Sequence, residues 1–562
     1  MIMINTMVFL FLNLFLSSIF LISSGHHLNK ISKIQIQQNS VESGLFGFIY
    51  IGFISFFLNF FLPLSKNLNT TIFLLVIVFF IFQNKNKLRD ILDVAITSLK
   101  ISFIAIIFVA FSNNYDPDAF LYHLPFSNIV NEYKILSGSS LMHFRFGHIS
   151  ILQYINAFFN NHIFGAHGTI IPISLAFSFF LLYLINQISK ILKKDNYYNL
   201  HNFFIVSSLI FVCLRMNRYS DYGNDNVATI FYLYFISFFI KNFETNTLYL
   251  KNKISLLASF IFTLKVFYFV PLMLSFYLWI SKKSLRIINL PNLICVFFLF
   301  LWFLKNVLVS GCAVYPASFT CINKLPWYNT ENKNFIDANQ ISLESEAWAK
   351  NWNTYNKKQR SLGKNVDKIE SQKNYLKKFF WLKEWSNVHG LLILKKITPF
   401  LIIILILLIL ERKKIYKSNK KENNKLFRIL FIINLIALLL WFIKFPIMRY
   451  GLAYIFIQLF LISYLFIKNK YFSKLKYIII LSIFVLVSKN LIKIYNNFDK
   501  NIYPTIYKKT TYYEKNDDNF VLYYTKNNEL CGYKKSPCTN YEQNLKNIEV
   551  KKFLNYRFFS LK

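Results

Sequence analysis

Glycine-rich phosphate loops are missing from this 562-residue sequence, which has neither a Walker-type Gly-Lys-Ser/Thr nor a dinucleotide glycine fingerprint. A nucleotide-driven pump is therefore disfavoured. Cys-x-x-Cys is also absent. Acidic residues are scarce, 26 Asp and Glu against 64 Lys and Arg, for a formal charge of +38. In a soluble protein that excess would suggest nucleic acid. Here the lysines sit mostly in short loops between apolar runs, where they report orientation in a membrane, and no nucleic-acid partner is expected. Heavy use of Ile, Phe, Lys, Asn and Tyr with little Ala or Gly also reflects compositional drift, so the absolute charge is discounted. The N-terminus, MIMINTMVFLFLNLFLSSIFLISSG, lacks a basic n-region and an A-x-A-like cleavage site. It reads as a first span rather than a removed signal peptide.

What the chain does have is apolar length. Hydrophobic residues make up 55% and aromatics 19%, and the mean hydropathy is +0.38, outside the range of ordinary soluble domains. Apolar segments fall near residues 5–23, 44–63, 70–83 and 93–112, then 168–188, 200–216 and 226–241. They continue at 254–281, 289–309, 393–410, 426–443, 450–467 and 477–495. Segment 254–281 is long enough for two short crossings, or one crossing and a re-entrant turn, with Lys265 at the break. The expected fold is an all-α polytopic membrane protein with about 13–14 transmembrane helices.

Short basic loops carry Lys85, Lys87 and Arg89, then Lys190, Lys193 and Lys194, then Lys282, Lys283 and Arg286. The strongest run lies between Glu411 and Lys425, and Lys468, Lys470, Lys474 and Lys476 follow. Placing them all in the cytoplasm is self-consistent if 254–281 crosses twice. It divides the chain into N-terminal helices (1–94), a core (95–309) with an acidic outside loop at 113–167, and a long outside loop (310–392). C-terminal helices (393–496) and an outside tail (497–562) complete it. Cys312 and Cys321 then share one outside loop, and Cys531 and Cys538 lie in the outside tail. Each pair can close a small disulfide loop in an oxidising compartment.

The stretch Asn113 to His148 gathers chemistry that the other early loops lack: Asp116, Asp118, Tyr122, His123, Arg145 and His148. From Phe126, apolar residues recur as Ile129, Val130, Tyr133 and Leu136, the spacing of a helix lying along the membrane surface. Asp118 has two readings, a helix N-cap or a general base for an acceptor hydroxyl or amine. Asp116 lies two residues back, before Pro117. Asp221 and Asp225, in RMNRYSDYGNDN between two spans, are either a polar turn or a second acidic site holding the acceptor or a metal. Lys265 in FTLKVFYFVP and Arg449 in FPIMRYGLAY are isolated cations with apolar flanks, which either reach the headgroups or hold a ligand phosphate. His123, His143, His148, His162 and His167 show no i, i+4 pair and no nearby cysteine set. Donors to a polyhydroxylated substrate fit them better than a metal centre. Trp302, Trp327, Trp348, Trp352, Trp381 and Trp385 read as interface anchors or as a sugar-stacking surface.

These residues resemble the pattern of the GT-C superfamily of membrane glycosyltransferases, which includes protein mannosyltransferases and the transferases that add aminoarabinose to lipid A. Asp118-Ala-Phe-Leu-Tyr122 resembles the Asp of their first large outside loop with a Tyr four residues on. Lys265 and the pair Arg449-Tyr450 resemble the family's mid-chain lysine and the Arg-Tyr that opens a late span. The chain is more similar still to uncharacterised bacterial multi-pass proteins carrying YHLP, RFG, SG-x-x-x-YP and PCT. Here these read Tyr122-His123-Leu124-Pro125, Arg145-Phe146-Gly147, Ser310-Gly311 with Tyr315-Pro316, and Pro537-Cys538-Thr539. The likeness runs from about residue 95 to the end. It departs from the family in having Asp-Pro-Asp in place of adjacent acids, and extra spans before the loop.

The resemblance implies a bacterial inner-membrane enzyme whose active face is periplasmic or extracellular. Such an enzyme passes a sugar from a polyprenyl-phosphate donor to a lipid, glycan or protein acceptor. Asp118 would be the base with Asp116 assisting, and Lys265 and Arg449 would hold the donor phosphate. Tyr122, His123, Arg145 and His148 would contact substrate. No cofactor is required by this reading, and a divalent metal is left open. A transporter or flippase of lipid-linked sugars, and a non-catalytic envelope assembly protein, are the alternatives. Neither needs a base at Asp118.

Overall fold

Long runs of Leu, Ile and Phe, opened by asparagine or serine, wind into helices whose first free N–H groups those short side chains satisfy. Asn39 caps onto the Val41 N–H, Ser65 onto Leu68, Asn199 onto Asn202 and Asn289 onto Asn292. The computed structural model describes residues 2–32, 39–112, 117–193, 199–216, 222–245, 247–281, 288–331, 335–361, 368–410, 422–467, 475–517, 520–527 and 529–562. The expected positions Asp116, Asp221, Lys194, Lys282, Lys283 and Arg286 lie outside the described residues. So do the basic stretches 411–421 and 468–474.

The first four helices are α1 (Ile2–Ile31), α2 (Ser40–Asn59), α3 (Lys66–Gln83) and α4 (Leu88–Val109). Two short helices, α5 (Leu124–Glu132) and α6 (Ile151–Phe158), follow at one end of the bundle. The middle of the chain forms α7 (Ile171–Lys193), α8 (Leu200–Arg215), α9 (Asn224–Asn242), α10 (Leu248–Leu264), α11 (Val270–Ser281) and α12 (Leu290–Ser310). The long loop folds into α13 (Ala338–Ala349), α14 (Trp352–Ser361), α15 (Lys368–Lys377) and α16 (Trp381–Trp385). Four more long helices close the bundle: α17 (Leu391–Leu410), α18 (Glu422–Lys444), α19 (Met448–Ile467) and α20 (Leu475–Asn497).

Ten described helices are long and apolar enough to cross a membrane, and the chain is an all-α polytopic membrane protein. Between them, α8, α10 and α11 are shorter, at 16, 17 and 12 residues, and α9, at 19, is less apolar; all four pack beside the others. This is where the expected 13–14 crossings and the ten full-length spans part company. Polar residues at the ends of these helices, Asp225 in α9 and Lys251 and Lys253 in α10, interrupt the apolar windows.

The span containing α7 is 94% buried and the one containing α17 only 17%, so α7 is the bundle's centre and α17 its rim. Exposed Val296, Phe300, Ile409, Ile480 and Phe484 mark the outer surface, which lipid would cover.

The tail folds onto one end of this bundle. It contains β1 (Tyr513–Asp517), β2 (Phe520–Tyr524), β3 (Cys538–Thr539), α21 (Glu542–Lys546), β4 (Ile548–Phe553) and β5 (Tyr556–Leu561). Strands β1 and β2 pair antiparallel and β2 and β3 parallel, while β4 and β5 make a separate antiparallel hairpin. The Phe559 N–H bonds the Ser137 carbonyl at 2.9 Å, which joins the last strand to the first acidic loop. Cys312 is bonded to Cys321 and Cys531 to Cys538.

Sequence reading and structure differ at α5. The periodicity predicts a surface helix running from Phe126 to Leu136, but the helix ends at Glu132, and Leu124 to Asn131 are all buried. Its asparagine face is covered too. Asn128 donates to the Tyr533 carbonyl at 3.1 Å, and Asn131 to the Leu64 and Ala157 carbonyls at 2.6 and 2.8 Å. An amide side chain is burial-compatible when backbone carbonyls take its hydrogens, so a polar stripe became a second packing face.

Candidate functional site

Pro117 and Asp118 begin a helical turn, and Ala119 to His123 continue it as a π-helix, a wide turn found often at functional sites. Asp118 has helical backbone angles, and its side chain makes no capping bond. The carboxylate instead meets the Arg145 guanidinium and, at 3.5 Å, Arg449. Arg145 rises from a 3₁₀ turn, Phe144 to His148, where the His143 ring accepts its backbone N–H at 3.1 Å. Its guanidinium lies 5.1 Å from the centre of the Tyr122 ring. The i, i+4 relation of Asp118 and Tyr122 thus presents one arginine with both a carboxylate and an aromatic face.

Asp225 stands in the first turn of α9, where the helix dipole favours an anion. The neighbouring Asn224 ties α9 to the Leu264 carbonyl at 2.7 Å. That anchors the break between α10 and α11, at which Lys265 is extended. The break is held further by Tyr268, whose hydroxyl lies 3.0 Å from that of Thr229, and by the Tyr454 hydroxyl donating to the Phe267 carbonyl at 2.5 Å. So placed, the Lys265 ammonium bonds Asp225 at 2.6 Å and the Arg449 carbonyl at 3.2 Å, and lies 4.4 Å from the Tyr450 ring centre. Arg449, in the first turn of α19, reaches Asp225 at 3.7 Å.

The result is one alternating chain of charge, Arg145, Asp118, Arg449, Asp225 and Lys265, drawn from five segments and gathered at one end of the bundle. Side-chain exposure is 9% for Lys265 and 39% for Arg449, so the lysine is enclosed and the arginine partly exposed. Trp348 of α13 lies 5.9 Å from the Arg449 guanidinium and is itself 45% exposed.

Other expected residues are placed differently. His123 is buried and its Nδ1 meets the Gln153 amide at 2.7 Å. Burial lowers its pKa to about 4, and it fastens α5 to α6 as a neutral ring. Burial likewise lowers His143 to about 3. Burial and the nearby Asp118 carboxylate push the Tyr122 phenol well up, so it remains protonated. His148 lies outside the ionic chain, its ring 5.1 Å from Tyr315. The adjacent Gly147 has Tyr315 ring atoms 2.5 Å from where a Cβ would stand, so the RFG and Tyr315-Pro316 stretches pack directly against each other. His162 is bonded to Asn67 at 2.6 Å, away from the chain of charge. Trp302, Trp352 and Trp381 are buried. The indole N–H of Trp327 bonds Val307 at 2.9 Å and that of Trp385 bonds Pro446 at 2.6 Å.

Tyr268 and Gln153 were not singled out from sequence. Tyr268 had a signal, a tyrosine one turn after Lys265, whereas Gln153 had none beyond the capping box it forms with Ser150. Among the described residues no three of His, Cys, Asp and Glu converge as a metal set. Asp118 and Asp225 each face two cations, so a divalent ion would have to displace one. This donor set fits an anion better than a metal.

The family model of a domain of unknown function, DUF8201, matches residues 7–456, a range that contains every member of the charged chain. No curated protein and no solved structure matches.

Proposed function

We propose that this chain, which belongs to the DUF8201 family, is a membrane glycosyltransferase of the GT-C kind. It takes a sugar from a polyprenyl-phosphate donor and delivers it to an acceptor on the outer face of a bacterial inner membrane. The observation that carries the reading is the alternating chain Arg145, Asp118, Arg449, Asp225 and Lys265 at the helix ends, beside lipid. Two cations with carboxylate partners are a ready phosphate site, because an incoming phosphate replaces the carboxylates as their anionic partner. Arg449 is the open member and Lys265 the enclosed one. The acceptor oxygen or nitrogen attacks the anomeric carbon, the bond from that carbon to the phosphate oxygen breaks, and polyprenyl phosphate leaves held by Lys265 and Arg449. Asp118, released from Arg449 as the phosphate binds, takes the acceptor's proton. Tyr122 and Arg145 keep that carboxylate oriented. Asp225 holds Lys265 in place until donor arrives.

The test is transfer of radiolabelled sugar from a panel of polyprenyl-phosphate donors in proteoliposomes, wild type beside Asp118→Asn. Transfer by the wild type and its loss in the variant support the proposal. Transfer unchanged in Asp118→Asn would remove that residue as the base, and no transfer by the wild type from any donor would favour a flippase or assembly role instead.

A further inference from the structure

A second site lies at the other end of α5. A cavity of about 420 Å³ opens between the end of that helix and the folded tail, lined by Glu132, Tyr133, Tyr523, Lys534, Lys535 and Arg557. Leu124 and Glu132 are eight residues apart, so the cavity is about 12 Å along the helix from the turn bearing Tyr122 and His123. It belongs to different residues from the ionic chain around Asp118.

The lining is charged but internally unpaired. Among the described residues, none of Glu132, Lys534, Lys535 and Arg557 closes an ion pair with another. The cations rest on aromatic rings instead: Arg557 is 4.3 Å from the centre of Phe520 and Lys535 is 4.8 Å from Tyr523. Phe520 in turn packs against Tyr133, with ring centres 5.2 Å apart, and the Tyr133 hydroxyl donates to the Ser536 carbonyl at 3.3 Å. Three cations and Glu132 line one cavity of this size, a lining complementary to a molecule that carries both an anionic group and hydroxyl or amine donors.

We infer that this cavity binds an anionic saccharide, a sugar bearing a phosphate or carboxylate. The site is wired to the first one mechanically. The Cys531–Cys538 loop supplies Lys534, Lys535 and Ser536 to the cavity, while its Gly532 N–H bonds the Phe120 carbonyl at 2.9 Å, two residues from Asp118. If transfer occurs at Asp118, the cavity is where a charged acceptor glycan docks. The binding claim itself is independent of that chemistry and is measured without turnover.

The experiment is equilibrium binding to the detergent-solubilised full chain, using glucose 6-phosphate, glucuronic acid, glucose and inorganic phosphate as probes. The two charged sugars should bind at least about 10-fold more tightly than glucose, and the sugar phosphate more tightly than inorganic phosphate. Lys535→Gln with Arg557→Gln should weaken the charged sugars about 10-fold or more, with the Cys531–Cys538 bond still formed. Lys534→Gln, at an exposed position, is the variant to use if the double change fails to fold, and should weaken them in the same sense. The inference is overturned by equal binding of glucose, by equal binding of inorganic phosphate, by unchanged affinity in the folded variants, or by no saturable binding of either charged sugar.

Discussion

Asp118 is paired with Arg145 and Arg449 and makes no helix-cap bond, which sets the cap reading aside and leaves the base reading to be tested. Asp118→Asn keeps its size and removes its capacity to accept a proton. General-base catalysis contributes roughly 10²- to 10⁴-fold, so transfer should fall by about that factor in proteoliposomes while protein level and donor binding stay near normal. Lys265→Ala and Arg449→Ala should act on donor binding instead. A charge-assisted contact is worth about 1.5–3 kcal/mol, so donor affinity measured by titration should drop about 10- to 150-fold in each. Unchanged affinity in both would leave these cations as partners of Asp118 and Asp225 alone. Lys265 and Arg449 were legible in the sequence because an ionisable residue with apolar flanks must find a partner, and Asp118 and Asp225 because each is an acid in a polar stretch between apolar spans. Their pairing was not, since residues 118, 225, 265 and 449 converge only through the packing of separate helices. Nor was the role of His123, which its buried bond to Gln153 sets and its position in YHLP does not.

At the scale of elements, α5 is the piece on which the site depends, clamped between the bundle and the tail. Tyr533 sits over it, its hydroxyl bonded to Asn131 and Asn160 and its carbonyl to Asn128. Cys531 and Cys538 bracket that contact. Replacing both by Ser should loosen the tail from α5, seen as faster proteolysis between residues 498 and 562 and a lower thermal midpoint. A small disulfide loop contributes on the order of 2–3 kcal/mol. Equal protease resistance in the double variant would show that the asparagine contacts suffice. The same region should be acid-labile. His123 and His143 have folded pKa values of about 4 and about 3, below the ordinary histidine value near 6.5. Between those limits the unfolded chain binds more protons than the folded one, so stability falls as pH drops below about 6.5 and is fully present above it. The thermal midpoint should decline over pH 6.5 to 4.5, and less steeply in His143→Gln; a flat midpoint would place neither ring in the folded core. The existence of α5 could be read from its spacing of apolar residues. Its end at Glu132 and its buried asparagine face could not, because the segments that cover them, at Leu64, Ala157 and Tyr533, are distant in the chain.

For the whole molecule, the helix order could be read almost completely from apolar length, and the arrangement of the bundle makes one further demand. Helices alternate direction between their connecting turns, so the turn with Lys85 and Lys87 stands at the opposite end of α4 from the loop that bears Asp118. Over the 22 residues of α4 that is about 33 Å, the thickness of a bilayer core. The end of α7 at Lys190 and Lys193 lies on the same side as Lys85, by the same count of crossings. The other end holds the ionic chain, the tail and both disulfides. Basic turns tend to remain in the cytoplasm and disulfides persist outside it, so two unrelated physical rules predict the same orientation. Both can be measured together. A reporter fused after Lys193 should be retained in the cytoplasm and one fused after Asn516 should be exported, while thiol mapping of native membranes should find Cys312, Cys321, Cys531 and Cys538 unreactive until reduced. An Asn516 reporter in the cytoplasm would turn the ionic chain toward the nucleotide pool and remove the reason for a lipid-linked donor. Free thiols at all four cysteines would point the same way. Export of the tail with oxidised pairs would leave the ionic chain facing the compartment where lipid-linked sugars are the donors at hand.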